Sequence, residues 1–202
     1  MNTLITDRDK QIILHLEKYR YATIEQLEKI FFRHQKNSYN IARRRLVEIK
    51  KAGYVKSIRD IETNKVVYIY NDGKSKAPDR HRLIALDVLA NLHYQGFNVK
   101  TYEVEKFWQD GKIRTDAFTV FTLENTKNRY QYFIEVHLSN NDPNLEKYDV
   151  LYKTKEVQEY LGRDVYPRIL LISDMKVYYN IENSKVIQLD TKLNEFASII
   201  LP

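Results

Sequence analysis

Apolar residues recur every three or four positions in three early segments of the chain. Ile12, Ile13, Leu16 and Tyr19 form the first set, Ile24, Leu27, Ile30 and Phe31 the second, and Ile41, Ala42, Leu46, Ile49 and Ala52 the third. That period predicts three helices, each with one face for a core. Thr6 is placed to cap the first, with acidic residues in the turn that follows. Thr23 is placed to cap the second, and Gln26 three residues on completes a capping box. The third starts near Asn37 or Ser38 and stops at Gly53, a C′ glycine. Beyond Gly53 the period shortens. "YVKSIRD" and "KVVYIY", rich in β-branched and aromatic residues, flank the turn residues "DIETN" and predict a β-hairpin.

The stretch "NDGKSKAPDRH", residues 71–81, has turn residues and charges but no apolar period, which marks a boundary between domains at 1–72 and 79–202. An amphipathic helix follows in "DRHRLIALDVLANLHYQG", with Leu83, Leu86, Leu89, Ala90 and Tyr94 available for a core and Gly96 closing it. Three strand-like runs come next, "FNVKTYEV", "TDAFTVFTL" and "YQYFIEVHL". A helix is expected in "NLEKYDVLYKTKEVQEYL", a buried strand in "YPRILLISD", a short strand in "KVIQL" and a terminal helix in "TKLNEFASIIL". The expected class is α+β in two domains. Helix, helix, helix, hairpin is the order of a winged helix-turn-helix, and α-β-β-β-α-β with additions is a mixed α/β arrangement.

Charge sharpens this division. The 202 residues carry a formal +6. Residues 1–76 hold 17 Lys+Arg against 9 Asp+Glu, or +8, and residues 77–202 hold 16 against 18, or −2. A basic first part beside a near-neutral second part suits a polyanionic partner; a solvated basic surface would have the same composition. Cysteine is absent, which excludes disulfides, thiolate catalysis and Cys-ligated zinc and fits a reducing cytoplasm. No apolar run approaches a membrane span of ~18 residues. The first ten residues lack the layout of a secretion signal.

The third helix concentrates the positive charge. At about 100° per residue, Asn40, Arg43, Arg44, Val47 and Lys51 point away from its apolar face. Arg pairs bidentately with guanine and Asn with adenine, so Asn40, Arg43 and Arg44 are the candidate base readers. Lys36, Ser38 and Tyr39 at the helix start would contact the backbone, Lys51 lies on the same face, and Arg59 and Lys65 flank the wing tip. Arg45 falls beside the apolar face, where its stem is expected to pack and its head to reach a carboxylate or phosphate. The competing reading of this half is a winged helix used for protein contact.

In the second half the candidate chemistry is Asp116 on one strand, then Glu135 and His137 on the next. A restriction-endonuclease-like fold places an Asp and then a Glu-x-Lys on such a hairpin, and its carboxylates hold Mg²⁺. Alternation puts Glu135 and His137 on one face, but histidine stands where lysine is usual. The same acidic residues also suit a nuclease-like scaffold without catalysis, or an Asp116 that caps a strand and a Glu135 that pairs with a lysine. His15, His34, His81, His93 and His137 have no zinc-like spacing. No Gly-rich phosphate loop is present, and no cofactor is expected. Sixteen tyrosines could stack on single strands or serve strand packing.

The order of these segments resembles the replication-relaxation family of plasmids and other mobile elements. "LITDRDKQIILHLEKYRYATIEQLEKIFF" is similar to that family's opening, "ARRRLVEIKKAGYV" to its third helix, "HRLIALDVLANL" to its post-wing helix, and "TDAFTVF" with "YFIEVHLSN" to its Pro-Asp-Ala and Glu-x-Asp strands. Thr115 stands where the family commonly has proline, and His137 where it commonly has Asp. The resemblance implies a DNA-binding winged helix joined to a nuclease-like domain without catalysis, acting in replication, DNA relaxation or transfer, or transcriptional control. The leading expectation is therefore a double-stranded DNA binder, a homodimer whose two copies supply half-site spacing, with replication or conjugation proteins as further partners and a cytoplasmic setting. The alternative is a Mg²⁺-dependent nuclease or nickase using Asp116 and Glu135, with His137 in the lysine position.

Overall fold

The early helices form where their apolar period places them. In the computed structural model, which describes residues 4–73, 77–123, 126 and 128–200, the chain is a mixed α+β protein with two sheets. Residues 74–76, the middle of the expected linker, and Leu201 of the expected terminal helix lie outside the described residues. Two compact units divide the chain, Met1–Tyr94 and Gln95–Pro202.

The first unit runs α1 (Asp7–Tyr19), β1 (Tyr21–Thr23), α2 (Ile24–Phe31), α3 (Ser38–Lys51), β2 (Val55–Arg59), β3 (Val66–Tyr70) and α4 (Arg80–Tyr94). Thr6 caps α1 in a capping box closed by Asp9, and Thr23 caps α2 in the box closed by Gln26. Ile12 and Leu16 of α1, Ile24 and Leu27 of α2, and Ala42, Leu46 and Ile49 of α3 meet in one core with Val55 and Tyr68. Each of these fully buried Leu and Ile side chains contributes roughly 1.5–3 kcal/mol. The strand order is β1-β3-β2, all antiparallel. β1 was not expected. Tyr21, Ala22 and Thr23 pair with Ile69, Tyr68 and Val67, and all three are buried, so a three-residue strand leaves no alternation to read.

The division falls after Tyr94, not in the 72–79 stretch, so α4 belongs to the first unit. The amide of Gln26 donates to the Leu83 carbonyl and to Asp87 Oδ1, each at 2.8 Å, and Lys29 Nζ reaches Asn91 Oδ1 at 3.0 Å. Gln26 thus caps α2 and ties it to α4. The helix is also buried more widely than one stripe, over Leu83–Leu86, Val88–Ala90 and Leu92, whereas Tyr94 is exposed.

The second unit runs β4 (Asn98–Trp108), β5 (Ile113–Thr122), β6 (Arg129–Val136), α5 (Lys147–Thr154), α6 (Glu156–Leu161), β7 (Arg168–Ile172), β8 (Val186–Leu189) and α7 (Phe196–Ile200). Its sheet has the order β4-β5-β6-β7-β8. β4, β5 and β6 are antiparallel, and β7 and β8 continue parallel to β6. The helix expected over 144–161 is broken at Lys155, which adopts φ 62. Trp108 packs edge-on to Phe118 and Phe133, and Phe133 stacks on Tyr148 at 4.5 Å. Tyr102, Tyr132 and Tyr148 are buried in this sheet and its cover, a packing use of tyrosine, whereas Tyr160, Tyr178 and Tyr179 of the same unit are exposed. Among the described residues no helix is long and apolar enough to cross a membrane.

Candidate nucleic-acid interface

α3 carries two faces because its sequence alternates two demands. Ala42, Leu46 and Ile49 are buried, while Tyr39, Asn40, Arg43, Arg44, Val47, Lys50 and Lys51 are exposed. Asn37 enters the helix in the left-handed region, φ 59, without a side-chain cap. At the far end the Tyr54 N–H bonds the Ile49 carbonyl and the Gly53 N–H the Lys50 carbonyl. With Gly53 at φ 86, this is a Schellman stop that turns the chain straight into β2.

The three successive arginines have different fates. Arg45 turns inward: its Nε donates to Asp9 Oδ1 at 2.7 Å, its Nη2 to Asp9 Oδ2 and to the Leu4 carbonyl. Asp9 has no exposed side-chain surface. Burial alone would raise its pKa, but hydrogen bonds from Arg45 and Thr6 and the Arg45 charge outweigh burial and hold it below the usual carboxylate range. Arg43 and Arg44 are exposed, and among the described residues neither sits in an ion pair. Free guanidiniums on an exposed stripe are available to bases and phosphates.

The remaining candidates divide in the same way. Lys36, Tyr39 and Asn40 are exposed at the start of α3. Ser38 is half-buried, and its hydroxyl donates to Glu28 of α2, so it is committed within the protein. Lys51 pairs with Glu48 at 2.9 Å on the surface. Arg59 bonds Asn64 Oδ1 at 2.8 Å across the hairpin turn. The charge of Lys65 acts on Asp60 and Asp87, carboxylates of its own unit. The turn is held by Asp60, which accepts from the Thr63 N–H at 2.9 Å, and Ile61 at its tip is 98% exposed. Two further exposed cations were missed, Lys50, bonded to Ser57 Oγ at 2.7 Å, and Lys56 on β2. Strand alternation puts Lys56 on one face with Ile58, and that was the signal for it.

In the second unit Asp116 lies across from Glu135, next to the pair Ala117–Ile134. Asp116 Oδ2 accepts from the Val136 N–H at 2.8 Å. His137 turns away, its Nε2 against the Asn141 carbonyl. Lys147, from the first turn of α5, takes the place beside the carboxylate: its Nζ is 2.8 Å from Glu135 Oε1 and donates to the Arg114 carbonyl at 2.7 Å. The Tyr148 hydroxyl donates to the same Oε1. Burial raises the pKa of Glu135, Lys147 lowers it and Asp116 raises it again, for a net rise. Among the described residues no group of three His, Cys, Asp or Glu could hold a metal ion. Asp116 and Glu135 are thus engaged within the protein, the one by an amide and the other by an ammonium and a phenol. Sequence spacing pointed to His137 because Lys147 is contributed by a different element.

Comparison with protein-family models, curated proteins and solved structures found no match to this chain.

Proposed function

We propose that the chain is a sequence-reading double-stranded DNA-binding protein of the replication-relaxation type, acting on a plasmid, phage or integrative element. The first unit is read as a winged helix-turn-helix, with α3 as recognition helix and the β2–β3 hairpin as wing. Its element order, the short β1 included, supports that reading. The observation that carries it is the split of α3: one face packed on α1 and α2, the other exposing Asn40, Arg43 and Arg44, with both arginines outside any ion pair among the described residues. Such a helix can lie in a major groove with its N-terminal half against base edges, while Lys36, Lys50 and Lys56 neutralise phosphates.

The second unit is read as a restriction-endonuclease-like scaffold without catalysis, which contributes to dimerisation or to contacts with replication or conjugation proteins. Its β4-β5-β6-α5-α6-β7 order supports the scaffold, and both carboxylates serve contacts within the unit, Asp116 with the Val136 N–H and Glu135 with Lys147 and Tyr148, which suits a structural role. A dimer would set two half-sites about one helical turn apart. The test is enrichment of bound fragments from the host element followed by footprinting. Two protected half-sites so spaced are expected. Equal recovery of all fragments, with no protected position, would end this reading.

A further inference from the structure

The first unit holds the positive excess, 19 Lys+Arg against 11 Asp+Glu, and the second is net negative, 14 against 16. Yet the second unit gathers three arginines around one groove of about 450 Å³ at the N-terminal ends of β6 and β7. Arg129 opens β6, Arg168 opens β7 in register with Tyr132, and Arg163 comes from the loop after α6. Tyr130, Tyr132 and Tyr166 complete the wall. Arg129 and Arg163 are exposed and Arg168 half-buried.

Among the described residues no carboxylate lines the groove and none of the three arginines is in an ion pair, although Arg168 is hydrogen-bonded to the Tyr132 hydroxyl. Asp164, next to Arg163 in sequence, is 94% exposed in its side chain and stands 4.0 Å from Lys155 instead. The two deeper phenols are committed: Tyr132 donates to the Ile200 carbonyl and Tyr166 to the Tyr148 carbonyl, at 2.8 and 2.7 Å. Three like charges around one hollow repel each other, and an anion placed between them relieves that repulsion. The planar guanidinium fork matches phosphate oxygens bidentately. The geometry points to a second anion site, in which Arg129, Arg163 and Arg168 hold backbone phosphates of a nucleic acid. The choice of nucleic acid as phosphate carrier rests on the function proposed above; the arginine groove does not. Contacts of this kind position a strand without reading its sequence.

The test uses the full chain, with Arg129→Glu/Arg163→Glu as the groove variant and Arg43→Ala/Arg44→Ala as the α3 variant. Exposed lysines away from the groove supply a charge control, Lys112→Glu/Lys176→Glu. Binding of a fluorescein-labelled 20-nucleotide DNA of arbitrary sequence, single-stranded and duplex, is followed by anisotropy across a salt series. The groove variant is expected to bind at least tenfold more weakly, with a log K versus log salt slope smaller by about 2 for two lost phosphate contacts, and to keep its far-UV circular dichroism. Unchanged affinity and slope overturn the site, and so does an equal loss in the charge control. Inorganic pyrophosphate that shifts the Arg129 and Arg163 side-chain resonances, with DNA binding unaltered in the groove variant, overturns the nucleic-acid source and assigns the groove to a free anion. An α3 variant that binds the duplex as the parent does, beside a groove variant that has lost affinity, fails the α3 contact and leaves the groove standing.

Discussion

Arg45 and its two neighbours separate structural from recognition arginines, and Arg45→Met tests the separation. The substitution keeps a stem that packs beside the α3 core but removes the head that satisfies Asp9. Asp9 is fully buried. Removing one partner of a buried pair costs about 3–5 kcal/mol, because the other charge is left uncompensated. Two features reduce that figure here. The Arg45 side chain is 27% exposed, so water can reach part of the gap, and Thr6 still donates its N–H to Asp9 Oδ2 at 2.6 Å. The expected loss is therefore about 2–3 kcal/mol. Urea denaturation followed at 222 nm measures it, and hydrogen exchange of the amides in α1 and α3 locates it. Replacing both partners, Asp9→Ala with Arg45→Met, should recover part of the loss, since no bare carboxylate then remains. The folded pKa of Asp9 is lowered, so its contribution is complete above the unfolded value near 3.8 and is lost as pH falls through the folded value. Arg45→Met removes the largest contribution that lowers the Asp9 pKa and should flatten or reverse that acid limb. Arg43→Ala and Arg44→Ala, both at exposed positions, should stay within about 0.5 kcal/mol of the parent. A stability loss from Arg44→Ala as large as that from Arg45→Met would refute the division of roles.

Other consequences follow from buried or strained groups. The His15 ring packs on Tyr19 and Phe31, and burial, with help from His93 and Lys18, pushes its pKa down to about 3. A depressed folded pKa means stability falls as pH drops below the unfolded value near 6.5, so urea midpoints should decline from pH 6.5 to 4, and His15→Gln should flatten that limb. Glu135 has a raised folded pKa, so its contribution is lost as pH rises; Lys147→Met removes its neutralising charge and should cost more stability at pH 8 than at pH 5, read by the same titration. Gly53→Ala should destabilise by about 1 kcal/mol in thermal melts, since φ 86 disfavours a Cβ. Supercoiled plasmid incubated with the protein and Mg²⁺ or Mn²⁺ should remain supercoiled on a gel; nicking that disappears in Asp116→Ala would restore the metal-dependent alternative.

What could be read in advance depended on how local the determinants were. The helix caps at Thr6 and Thr23, the Gly53 stop and the inward turn of Arg45 are set by residues within one helical turn or by the phase of one helix, and each was legible. β1 was not, because three buried residues in a row have no period, and their pairing with β3 lies more than 40 positions away. The attachment of α4 depended on the Gln26 amide, whose capping role is local and whose contacts to Leu83 and Asp87 are long-range. The cluster around Glu135 was half visible. Asp116 and Glu135 were expected on successive strands and do lie across from each other, but nothing in the spacing of β6 announces that an ammonium from α5 stands beside Glu135 where the pattern would have a lysine two residues on. The groove of Arg129, Arg163 and Arg168 draws on two strand starts and a loop, and no sequence window contains it.

The role of α3 is tested most directly by the affinity of one enriched duplex for the parent and for Arg43→Ala/Arg44→Ala, at one salt concentration, beside a scrambled duplex of equal length. Each lost bidentate contact removes about 1–3 kcal/mol of discrimination. The expected result is that the variant binds the enriched duplex at least tenfold more weakly and no longer prefers it to the scrambled one. Equal affinity and undiminished preference in the variant would show that the exposed side of α3 does not read DNA.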